Sequence, residues 1–205
     1  MKNKTDDYLF ACAYIHALKE PKFENRYELF QTMRKICPNQ YIIDFFELKY
    51  IYNNLKFLAR TNSSPNENLN EYKDDLLSAK ALLSKTQSPQ LSDIYLDRVY
   101  FNKLLSTAEA SNSSFLYGYA QLLIDASNLL SFCRARKQGK ENHLLPDLFF
   151  QGGTFDFERV ESIAESISPE EMDRFCKNFL GNYLQSAKYI PFGPEPIILF
   201  LSKQV

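Results

Sequence analysis

The stretch Leu123–Arg136, LIDASNLLSFCRAR, decides how the chain is read. Asp125 and Asn128 stand inside a run otherwise dominated by Leu122, Leu123, Leu129, Leu130 and Phe132. At ~100° per residue, Asp125 projects between Leu129 and Phe132, at the edge of a helix's apolar face. A catalytic carboxylate and a structural polar pair are the two explanations. A carboxylate buried there needs a partner: a helix N-terminus, backbone N–H groups or an arginine.

An internal repeat favours the structural explanation. YIYNNLKFLAR (50–60) lies over IDASNLLSFCR (124–134) at an offset of 74. Asn54 then matches Asn128, Leu55 matches Leu129 and Arg60 matches Arg134, while Ile51 falls on Asp125. A position that takes isoleucine in one copy reads as buried in the other. Each copy sits late in its half of the chain, in a long helix followed by a polar break, which points to related helical modules.

Helical periodicity governs the rest. We expect helices over 6–20, 24–36, 39–61 and 67–85, separated by Pro21, Pro38 and the turn-forming TNSSPNEN (61–68). TQSPQ (86–90) divides the halves. A helix follows through LSDIYLDRVYFNKLLSTAEA (91–110), SNSS (111–114) closes it, and the next helix ends near Gly139. FFQGGTF (149–155) is a glycine turn before a helix at about 156. In SPEE (168–171), Ser168 is an N-cap, Pro169 takes the first helical position and Glu171 completes a capping box. PFGPEP (191–196) is a final break before another helix. Strand-like alternation is rare, so the fold class is all-α. The expected division is a first module over 1–88, a second over 89–190 and the start of a third over 191–205.

Composition narrows the function. The 205 residues are 45% hydrophobic and 24% charged, as in an ordinary globular chain. A formal net charge of −1 lacks the basic excess expected of a nucleic-acid binder. Cys12, Cys37, Cys133 and Cys176 form no CxxC pair and have no metal-ligand spacing. Cys12, Cys133 and Cys176 read as reduced, small core residues, which suggests a cytoplasmic setting. MKNKTDDYLF does not read as a signal peptide, and no run of about 18 apolar residues suggests a membrane span.

Chemistry-bearing patterns are few. His16 and His143 have no ligand spacing, and phosphate-loop, GxSxG and HExxH patterns are absent. Gly152-Gly153 could form an anion-binding nest, but a turn is the favoured reading. RARKQGK (134–140) gathers Arg134, Arg136, Lys137 and Lys140 at a helix end. Cations there complement the helix dipole. The sharper alternative is a contact with an acidic partner or lipid headgroups.

DIYLDRVYFNKLL (93–105), LIDASNLLSFCRARKQG (123–139), the GG turn and PFGPEPIILFLSKQV (191–205) together resemble the C-type stalk component of archaeal and bacterial V-type (A-type) ATPases, whose eukaryotic equivalent is the d-type component. Asp97, Tyr100 and Phe101 match that family's "D..yf" helix. Asp125, Asn128 and Arg134 match its "iD..N….R" helix, and Asn54, Leu55 and Lys56 its "hNlK" segment. Ile51 departs from the acidic residue expected in that segment.

The resemblance implies an all-helical stalk protein of three similar modules around a pseudo-threefold axis. It implies no catalysis, nucleotide, cofactor or metal. The implied partners are the D- and F-type shaft subunits and the membrane proteolipid ring. Asp97, Asp125, Asn128 and Asn54 are the expected structural polar residues. Arg134, Arg136, Lys137 and Lys140 are the candidate partner contacts. The family pattern continues into a third helix set, so the last segment reads as a truncated module with apolar Ile197, Ile198, Phe200 and Leu201 inclined to self-association. An independent helical adaptor built from similar modules is the alternative.

Overall fold

The computed structural model describes residues 9–10, 13–14, 26–137, 149–154, 168, 170–171, 174 and 178. Among them there is no strand, and the architecture is all-α. Five α-helices run in the order α1 (Arg26–Ile36), α2 (Gln40–Thr61), α3 (Lys73–Thr86), α4 (Pro89–Ala110) and α5 (Ser114–Lys137). A short 3-10 helix, Glu67–Tyr72, precedes α3. The expected helices over 6–20, at about 156 and after 196 lie wholly or largely outside the described residues, although Leu9, Phe10, Ala13 and Tyr14 are helical.

Local chemistry explains the boundaries. Asn39 caps α2, its side chain accepting from the Tyr41 N–H at 3.1 Å. Ser88 caps α4 through the Leu91 N–H, and Pro89 begins the helix where its missing N–H costs nothing. TQSPQ is therefore a tight turn whose Ser-Pro pair already starts α4. Asn62 ends α2 and Gln87 ends α3, both left-handed, with φ of 52° and 54°. The span expected as one helix over 67–85 instead opens as a 3-10 turn. Its sequence, ENLNEY, carries two asparagines, which favour turns over α-helix, and Asn66 supplies no side-chain cap.

The chain divides into two compact units, 1–120 and 121–205, and the division falls within α5. In the first unit, α2 packs against α3 and α4, and α1 lies on α2. The core stripe of α2 is Leu48, Tyr52, Leu55 and Ala59, at helical spacing. The helices packed against α2 bury Leu76 and Ala79 of α3 and Leu96, Phe101, Leu104 and Ala108 of α4. Ala79 and Ser92 are small enough for α3 and α4 to approach closely, and the buried Ser92 hydroxyl donates to the Ala79 carbonyl at 3.0 Å. In the second unit, Leu122, Ile124, Ala126 and Phe132 of α5 are buried, as is Phe150.

Candidate functional site

Two polar arrangements stand out. The first lies on α5. Asp125 is fully buried and Asn128 nearly so. The Asn128 amide donates to the Phe150 carbonyl at 2.9 Å and accepts from the Phe150 N–H at 2.8 Å. The Asp125 carboxylate accepts from the Thr154 N–H, at 2.9 Å to Oδ1 and 3.0 Å to Oδ2, and from the Thr154 hydroxyl. Gln121, one turn earlier, donates to the Gly152 carbonyl at 3.3 Å. Thr154, next to the two glycines, thus holds the Asp125 carboxyl group through both its N–H and its hydroxyl. Gly152 supplies the turn with a φ of 96°. Backbone donors are one of the partners a buried carboxylate at position 125 required.

The second arrangement braces α2 against α4. The two helices run antiparallel, as the pairs Lys56–Asp97 and Arg60–Asp93 show. Lys56 Nζ reaches Asp97 Oδ1 at 2.5 Å. Burial pushes the Asp97 carboxyl above its ordinary 3.8, and the Lys56 ammonium only partly opposes that rise. Asp93 takes Arg60 on Oδ2, whereas its Oδ1 is buried without a hydrogen-bond partner. At the far end, the Asn39 side-chain amide donates to the Ser111 carbonyl at 3.1 Å, joining the N-cap of α2 to the C-terminus of α4.

A ring cluster continues the brace. The Tyr52 hydroxyl donates to Asp75 Oδ2 at 2.6 Å, and Lys103 Nζ lies 3.2 Å from the same oxygen. That ammonium stands 4.5 Å from the centre of the Tyr72 ring. Tyr52 meets Tyr72 edge-on and Tyr100 at a tilt. Burial raises the phenols of Tyr52 and Tyr100, and that of Tyr72 to about 12. Tyr52, Asp75 and Lys103 come from three helices and carry no pattern in the sequence. Only Tyr52, on a core stripe with a polar tip that needs a partner, offered a signal.

The expected site residues are distributed unevenly. Asp125 and Asn128 act on one loop, and Asp97 joins Lys56 between α2 and α4. Asn54 is exposed. Its equivalence to Asn128 in the repeat is not an equivalence of burial, because α2 turns 48, 52, 55 and 59 inward and leaves 54 off that stripe. Arg134, Arg136 and Lys137 end α5, but their side chains, and Lys140, lie outside the described part, as do His16 and His143. Cys37 is a free, half-buried thiol, while Cys12, Cys176 and the Cys133 side chain are also outside. Ser168 and Glu171 form the expected capping box: Glu171 Oε2 accepts from the Ser168 N–H at 2.9 Å, and Ser168 Oγ accepts from the Glu171 N–H at 3.3 Å. Among the described residues no cluster of His, Cys, Asp and Glu could hold a metal, and no helix is long and apolar enough to cross a membrane.

Both arrangements hold segments together: one ties the 149–154 loop to α5, and the other ties α2 to α4. A family model described as ATP synthase (C/AC39) subunit matches residues 70–180, more than half of the chain. The match takes in α3, α4, α5 and the 149–154 loop. No curated protein and no solved structure matches.

Proposed function

The chain belongs to the ATP synthase (C/AC39) subunit family, and from that premise we propose that it is a non-catalytic central-stalk subunit of a V-type/A-type rotary ATPase. In this role it links the rotor shaft to the membrane proteolipid ring, so that ATP hydrolysis or synthesis elsewhere is coupled to H⁺ or Na⁺ transport. It works in the cytoplasm, peripheral to the membrane. The family match carries this reading.

The α2–α4 brace supports it physically. A part that transmits torque needs helices that resist sliding. Two charged rungs one helical turn apart, Lys56–Asp97 and Arg60–Asp93, favour a single antiparallel register. Surface pairs are worth only about 0–1 kcal/mol each and half-buried ones also carry a desolvation cost, so the value of these two lies in register more than in stability. In the same reading, 1–88, 89–190 and 191–205 are successive modules. Arg134, Arg136, Lys137 and Lys140 meet an acidic surface of a partner, and 191–205 is the segment inclined to self-association.

Co-purification tests the proposal. The chain, mixed with D- and F-type shaft subunits, should form a stoichiometric complex that binds the proteolipid ring. Calorimetry on the isolated chain should show no ATP binding. A chain that ignores both shaft and ring, or one that binds ATP stoichiometrically at micromolar concentration, would remove the stalk role.

A further inference from the structure

Gln121, Asp125 and Asn128 occupy positions i, i+4 and i+7 of α5, so their side chains share one helix face. All three make hydrogen bonds to the main chain of the 149–154 loop. Asn128 is the most telling. Its amide pairs with both the N–H and the C=O of Phe150, as a neighbouring strand would. The loop itself belongs to no helix or strand.

Four features of the loop accompany this contact. Phe150 is buried, at 6% exposure. Gly152 adopts a φ of 96°, which other residues rarely take. At Gly153 a Cβ would stand 2.0 Å from Asp125 Oδ1 and 3.1 Å from Ile124 Cγ2. The Thr154 hydroxyl donates to Asp125 Oδ2. Gln151 is exposed. These features fall within five consecutive residues, with only Gln151 left out, and include main-chain groups that any extended peptide carries.

We propose that the Gln121–Asp125–Asn128 face of α5 is a peptide-recognition site for a Phe-x-Gly-Gly-Thr segment, filled by the chain's own residues 150–154. The loop is then a ligand held in cis. Covalent attachment gives it an effective concentration on the order of millimolar, enough to keep a weak site full. The same five residues supplied as a separate peptide can bind once the cis copy is displaced.

Gly153→Ala in the full chain is the variant that displaces it. The probe is the capped peptide Phe-Phe-Gln-Gly-Gly-Thr, followed by NMR of the Asn128 and Gln121 side-chain amides. A saturable shift is expected with Gly153→Ala and none with the unaltered chain. A peptide with Ala in place of its second glycine should bind at least about tenfold more weakly. Equal binding of the two peptides would overturn the proposal. So would no binding once the cis segment has left, or a cis segment that stays docked despite the alanine. If Gly153→Ala does not fold, hydrogen exchange of Thr154→Val against the unaltered chain decides. The Phe150 and Thr154 amides should lose protection together, as parts of one docked ligand. Loss at Thr154 alone would show that no such ligand exists.

Discussion

Asp125 and Gly153 are fitted so closely that the glycine has no room for a side chain: a Cβ on residue 153 would lie 2.0 Å from Asp125 Oδ1. The neighbouring Thr154 N–H is thereby brought onto the carboxylate. Gly153→Ala should destabilise the fold by about 1–3 kcal/mol, the usual cost of forcing extra volume into a packed site. Gly118, on α5, meets nothing within 4 Å of a built Cβ. Gly118→Ala should stabilise by about 0.5–1 kcal/mol through helix propensity. Urea denaturation of both variants checks the contrast; equal changes would mean that the close approach at 153 is not a constraint.

Asp125→Ala removes the acceptor for the Thr154 N–H and hydroxyl. We expect a loss of about 1–3 kcal/mol, because the backbone donor beside α5 is left unpaired. Thr154→Val deletes only the hydroxyl and should cost less. Thermal melts of the two variants rank them, and an Asp125→Ala protein that melts with the parent would show the carboxylate to be idle.

Asp97 offers a pH test. Burial raises its folded pKa above 3.8 despite Lys56. The folded state then holds this proton more tightly than the unfolded state. The resulting contribution favours the fold in acid and is lost as pH rises through the folded pKa. Stability relative to Asp97→Asn should therefore fall across that interval, and a carboxyl NMR titration should give a midpoint above 3.8. A midpoint below it would mean that Lys56 outweighs burial.

Glu171 should behave in the opposite sense. Its bonds from the Ser168 backbone and side chain lower its pKa below 4.5. The associated stabilisation is present above the unfolded value and disappears as pH falls through the folded one. Ser168→Ala should move the Glu171 midpoint back toward 4.5. An unmoved midpoint in the NMR titration would show that the hydroxyl does not stabilise the Glu171 carboxylate.

The sequence by itself determined most of the described helices, the exception being 67–85, which opens as a 3-10 turn. These depend on interactions within a few residues: the cap at Asn39, the Ser88-Pro89 start, and the reciprocal bonds of Ser168 and Glu171. It also marked Asp125 as a carboxylate on an apolar face that would require a partner. Only the tertiary structure decided which partner. Thr154 is 29 residues away, and its approach depends on a glycine with no side chain to stop it. The Tyr52–Asp75–Lys103 cluster is likewise assembled from three helices, so no local pattern announces it. Asn54 and Asn128 occupy matching places in the repeat, yet one is exposed and the other buried. Identity along the chain is a local property. Which face of a helix turns inward is settled by what packs against it.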